Sequence, residues 1–130
     1  MRSYTGPTVA GGVSTIECPS WCVTDHAYWD DQADDCFHQS APLEVAVPRD
    51  RVRSGTRPLP GVLETTLRLH STDPAPSAAL VWLEMNERTD DSVELDLAGV
   101  DKLLSSLDSY RAGLLELRGL LAGIDAARRT

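Results

Sequence analysis

The sequence predicts an α+β fold: an N-terminal knuckle rich in Cys and His, an antiparallel three- to four-stranded sheet, and one long C-terminal helix. Three observations carry this reading. All three cysteines and two of the three histidines fall between Cys18 and His38. The middle of the chain alternates apolar and polar residues in short runs divided by Pro- and Gly-rich turns, the period of a half-buried strand. The last third places apolar residues seven apart in two series offset by three, the a/d pattern of a helix with one apolar seam.

Taken in order, residues 1–15 (MRSYTGPTVAGGVST) mix Gly, Ser, Thr and Pro without periodicity and read as a flexible tail. Their single Arg and lack of an apolar run do not fit a secretory signal. Residues 16–130 then read as a single domain: a metal-binding segment at 16–40, a β-meander at 43–97 and a helix at 97–127.

In the first segment the spacing is Cys18-x3-Cys22-x3-His26-x9-Cys36-x-His38. Zinc takes four N or S ligands in a tetrahedron, and a mixed thiolate and imidazole set favours zinc over iron. Cys18 and Cys22 form a short pair, stiffened by Pro19 and shielded by Trp21. His26 reaches the same ion if the segment turns helically. The fourth ligand must come from the far side of the loop, where Cys36 and His38 both qualify, because alternate residues on an extended segment point the same way. Asp25, Asp30, Asp31, Asp34 and Asp35 read as a solvated acidic loop, with one of them available to orient His26 as an acceptor. Their spacing does not match a calcium-binding EF-hand.

Four strands follow. Leu43 to Val47 alternates. Pro48 to Gly61, with three Pro and two Gly, is a loop. Val62 to His70 puts Leu63, Thr65, Leu67 and Leu69 on one face, with Glu64, Thr66, Arg68 and His70 on the other. Asp73 to Ser77 is a turn. Ala79 to Asn86 reads as a central strand, the ERTDDS run as a turn, and Val93, Leu95 and Leu97 as a short last strand. Short connections make an antiparallel meander the simplest topology. The helix begins after a cap at or near Asp96. Val100, Leu107, Leu114 and Leu121 form one series of its seam, and Leu103, Tyr110, Leu117 and Ile124 the other. At 1.5 Å per residue it spans roughly 40 Å, against about 17–20 Å for a typical strand, so its second half overhangs any sheet and needs a partner. Gly113, Gly119 and Gly123 each weaken it by about 1 kcal/mol relative to Ala.

The residues CPSWC (Cys18–Cys22), then Asp25-His26, then His38, followed by a meander and a terminal helix, resemble a family of small actinobacterial proteins known only as a domain of unknown function. The resemblance covers roughly residues 16–125. It implies a Cys, Cys, His, His ligand set, which here is Cys18, Cys22, His26 and His38, with Cys36 as the alternative ligand. This chain departs from the pattern in carrying Cys36 and a longer helix.

Function is constrained mainly by exclusion. The 130 residues carry a net charge of −8 with a pI near 4.7, which disfavours non-specific nucleic-acid and anionic-membrane binding. An odd number of cysteines argues against a secreted disulfide framework and for a reducing cytoplasm. There is no HExxH, GxSxG, P-loop or deaminase signature, and no Glu between Glu17 and Glu44 to serve as a nearby general base. The expected role is a cytoplasmic interaction or regulatory module without catalytic activity. It binds Zn2+ structurally and meets a protein partner or a second copy through the helix. Two alternatives are a nucleic-acid-binding regulator using the basic loop Arg49, Arg51, Arg53 and Arg57, and, further behind, a zinc hydrolase. His70 is assigned no role.

Overall fold

The computed structural model describes residues 2–46, 61–73, 75, 78–85 and 88–129. The basic loop from Arg49 to Arg57 and the strand end at Val47 lie outside them. The chain divides into two compact units, Met1–Leu95 and Asp96–Thr130, where the sequence predicted one domain.

The first unit opens with a hairpin in place of the expected tail. Strands β1 (Arg2–Pro7) and β2 (Val13–Cys18) pair antiparallel, from Arg2 opposite Cys18 to Pro7 opposite Val13. Tyr, Thr, Val and Ile are strand formers, and the Gly and Pro that suggested disorder serve the turn. Gly11 adopts φ 91°, a conformation open to Gly at little cost. The Thr8 hydroxyl and carbonyl accept from Gly12 N and Gly11 N. At Gly6 the Tyr4 ring lies so close that a Cβ would collide with it. The hairpin is also tied forward: Ala33 N donates to Pro7 O at 2.7 Å and Val9 N to Asp34 Oδ1 at 2.9 Å.

The main sheet holds β3 (Phe37–Gln39), β4 (Leu43–Ala46), β5 (Gly61–His70), β6 (Leu80–Met85) and β7 (Arg88–Leu95), all antiparallel. It is the expected meander with one edge position divided. β3 pairs with the end of β5 (Phe37 opposite His70) and β4 with its beginning (Leu43 opposite Thr65), on the edge away from β6. The register slips by one residue between them. Pro42 has no N–H to offer a ladder, and Ser40 bridges the break: its N–H donates to Leu67 O, and its hydroxyl accepts from Leu67 N. The last strand starts at Arg88, so most of the run read as a turn is strand. An edge strand tolerates polar residues that a central one would not.

Register keeps the expected two faces. One is aliphatic, with Leu63 opposite Met85, Leu67 opposite Val81, Leu83 opposite Val93, and His38 opposite Leu69 at the end nearest the hairpin. Leu69 and Leu83 are buried there, while Leu43 is 72% exposed. The other face carries an aromatic and ionic cluster. Phe37 packs edge-on against His70 and Trp82. The Arg68 guanidinium lies 4.7 Å over the Trp82 ring and bonds Glu84 at 3.2 Å and the Thr66 hydroxyl at 2.9 Å.

The second unit is the helix α1 (Leu97–Arg128). Asp96 caps it, its Oδ1 accepting from Gly99 N at 2.8 Å, an interaction worth about 1 kcal/mol. None of its residues is buried. No helix among the described residues is long and apolar enough to cross a membrane.

Candidate metal centre

The buried heart of the first unit is the Cys/His segment. Cys18, Cys22, Ala33 and Cys36, with His26 and His38, are buried, and so are Leu69 and Leu83 on the aliphatic face of the sheet and Thr66 on its other face. Each ligand candidate arrives on a different local device. Cys18 ends β2. Cys22 closes a turn in which its N–H donates to Pro19 O. Val23 N then donates to Gln39 O, which docks this segment on β3. His26 opens a loop of tight turns that returns through Asp31 N to His26 O. In that loop Asp25 Oδ1 accepts from Tyr28 N, and Asp30 takes φ 53°, a conformation Asp tolerates better than most residues. His38 is the middle residue of β3 and is held by the sheet.

These four side chains converge. One donor atom from each of Cys18, Cys22, His26 and His38 lies within 4.8 Å of every other. Cys22 Sγ and His26 Nε2 are 3.9 Å apart. Zn–S and Zn–N bonds of about 2.3 and 2.0 Å put neighbouring donors of a tetrahedron about 3.6 Å apart, so the cluster needs only a slight contraction to close on an ion. His38 Nδ1 is the one buried side-chain nitrogen or oxygen without a hydrogen-bond partner among the described residues. Leaving such an atom unpaired costs about 1–3 kcal/mol, a cost that coordination through Nδ1 would relieve. Burial, and then the neighbouring His26, hold the His38 pKa below its ordinary value, so the ring stays neutral, the form that binds metal. Burial raises the Cys18 thiol, and the adjacent Cys22 raises it further. A divalent cation is the natural charge to turn such a thiol into a thiolate.

The surroundings tune the cluster. His26 Nδ1–H donates to Asp31 Oδ2 at 2.8 Å, which leaves Nε2 facing Cys22 as a lone pair. Tyr4 fixes the same loop, its hydroxyl donating to Asp31 O and its ring lying 5.3 Å from that of His26. Arg2 donates to Cys22 O, Cys22 Sγ and Thr24 O at 3.1, 3.6 and 2.9 Å. Sequence reasoning left the orienting aspartate unnamed and did not find Arg2 or Tyr4. Both sit in the segment read as a tail, and only the hairpin register brings them to the site.

Cys36 falls in a separate group with His26 and Asp31. It is buried, which raises its pKa, against a lowering contribution from Ser71. Of the other aspartates, Asp25, Asp30 and Asp35 are exposed, as expected of a solvated acidic loop, and two of the loop's aspartates also make local contacts: Asp34 Oδ1 accepts from Val9 N in the hairpin turn and Asp35 meets His70 Nε2 at 3.3 Å. His70 also bonds the Thr72 hydroxyl.

No curated protein and no solved structure matches the chain. A family model does match, over residues 3–123, a span that takes in the hairpin, the Cys/His cluster, the sheet and most of the helix. The chain therefore belongs to the family described as a domain of unknown function, DUF6907.

Proposed function

We propose that this protein is a non-catalytic, zinc-stapled interaction module of the cytoplasm, which pairs with a second copy of itself through the C-terminal helix. The observation that carries the reading is the buried convergence of Cys18, Cys22, His26 and His38. Two thiolates and two neutral imidazoles occupy all four positions of a zinc tetrahedron, and a catalytic zinc needs one of them open. Zinc binding free energy becomes folding free energy here, because the surrounding 40 residues bury few aliphatic side chains of their own.

The interaction role rests on the helix. Its eight a and d residues, Val100 to Ile124, span four heptads, long enough for a coiled-coil seam. Tyr110 is 70% and Leu114 53% exposed. A second copy supplies an identical seam in register, and the g positions Ser106, Gly113, Leu120 and Ala127 bring no like charge against it.

Metal analysis and light scattering on one preparation test both halves. The expected result is one zinc per chain and a dimer. Leu114→Glu is expected to give a zinc-loaded monomer, and Cys22→Ser a zinc-free chain. A wild-type monomer would overturn the helix pairing. A folded wild type without zinc would overturn the structural-metal reading.

A further inference from the structure

Beside the cluster lies a cavity of about 480 Å3 lined by Thr24, Trp29, Asp31, Asp35, Cys36, Phe37 and Gln39. Its size falls in the range of small-molecule and side-chain pockets, about 300–1,000 Å3. Its chemistry is one-sided. Two carboxylates, an amide and a hydroxyl line it together with two aromatic rings, and no Lys or Arg lines it among the described residues. Each carboxylate is half engaged: Asp31 Oδ2 takes the His26 proton and Asp35 Oδ1 meets His70. Asp31 Oδ1 and Asp35 Oδ2 have no partner among the described residues.

The same chain shows what such a set holds. On the sheet, Glu84, Trp82 and the Thr66 hydroxyl bind the Arg68 guanidinium by one carboxylate bond, one hydroxyl bond and one aromatic face. The cavity repeats those three components with Asp31 and Asp35, Trp29 and Phe37, and Thr24. We infer that this cavity is a binding site for a guanidinium group. A planar guanidinium stacks on an aromatic face while its fork of N–H donors reaches carboxylate oxygens, a combination that a compact ammonium matches less well. The inference is independent of the oligomeric state. It shares Asp31 with the metal centre, so the test reads zinc content separately.

The experiment titrates the zinc-loaded full chain with N-acetyl-arginine amide and with its neutral isostere N-acetyl-citrulline amide, by calorimetry. Saturable binding of the arginine compound is expected, with the citrulline compound at least about tenfold weaker. Asp35→Asn and Trp29→Ala are each expected to weaken binding by on the order of tenfold at unchanged zinc per chain. Both side chains are well exposed, Trp29 at 67% and the Asp35 side chain at 64%, so neither variant threatens the fold. Comparing agmatine with a Gly-Gly-Arg-Gly-Gly peptide separates the sources. Tighter binding of the peptide assigns the site to an Arg of a polypeptide, and equal or tighter binding of agmatine assigns it to a small guanidine; either is the ligand class inferred here. Equal affinity for the citrulline compound, no binding below about 10 mM, or binding unaffected by both variants would overturn the inference. With zinc retained, any of these results would leave the metal reading standing.

Discussion

The metal segment and the helix achieve order by opposite means. Residues 2–39 contain little regular structure beyond a hairpin of two six-residue strands and one three-residue strand, yet they hold most of the buried side chains among the described residues. Their order is non-local: Arg2 reaches Cys22, Tyr4 reaches Asp31, and Val9 reaches Asp34. The helix has 32 residues of continuous local hydrogen bonding, a good cap and no buried residue. One region thus has a core without aliphatics and the other has aliphatics without a core. In the function proposed above, a metal ion supplies what the first region lacks and the seam of a second copy supplies what the helix lacks.

Removing the metal should break the comparison most severely. Structural zinc contributes about 10–16 kcal/mol of apparent binding energy in small domains, more than the whole stability of most domains. Chelation is therefore expected to unfold the first unit. A smaller effect is expected at Asp31. Asp31→Asn retains the shape but weakens the acceptor for His26 Nδ1–H, and loss of such a partner typically lowers metal affinity about 10–100-fold. Competition with a chromogenic chelator reads this directly, and unchanged affinity would mean that Asp31 does not tune the site.

On the other side of the comparison, Leu114→Glu places a charge in the seam. It should abolish the dimer and lower helicity by circular dichroism while the zinc content stays constant. Acidification sharpens the contrast further. The His38 pKa is lowered in the folded state from an ordinary 6.5, so below about pH 6.5 the unfolded chain takes up a proton that the folded chain resists, and stability falls as pH falls. A urea midpoint that drops between pH 7.5 and 5.5 in wild type should drop less in His38→Cys, which keeps a metal donor but not the imidazole. The smallest expected effect is Asp96→Ala, which removes the helix cap at a cost of about 1 kcal/mol and leaves metal affinity unchanged.

How much of this was legible in the sequence follows the same division. The helix was readable almost to the residue, because its seam and its Asp96 cap are local signals. The two faces of β5 were readable from alternation alone. The convergence of Cys18, Cys22, His26 and His38 was indicated by residue type and family resemblance. What spacing left open was whether Cys36 or His38 joins the other three. Alternation does not separate two residues on the same side of a strand, and only the positions of the neighbouring side chains put Cys36 with Asp31. The hairpin was misread because composition suggests disorder when Gly and Pro are counted without their places. Gly11 belongs to a turn and Gly6 to a close approach of the Tyr4 ring. Arg2 carried no signal at all, since its partner lies 20 residues away.

A metal ion that serves as the core of the first unit leaves its mark on the protection of that unit's backbone. Amide hydrogen exchange on the intact chain, before and after removal of the ion by a chelator, tests it most directly. One zinc per chain is expected at the start, and after chelation the collapse of protection across residues 2–46 and along β5, restored when zinc is added back. Protection of those residues that survives removal of the metal would contradict it.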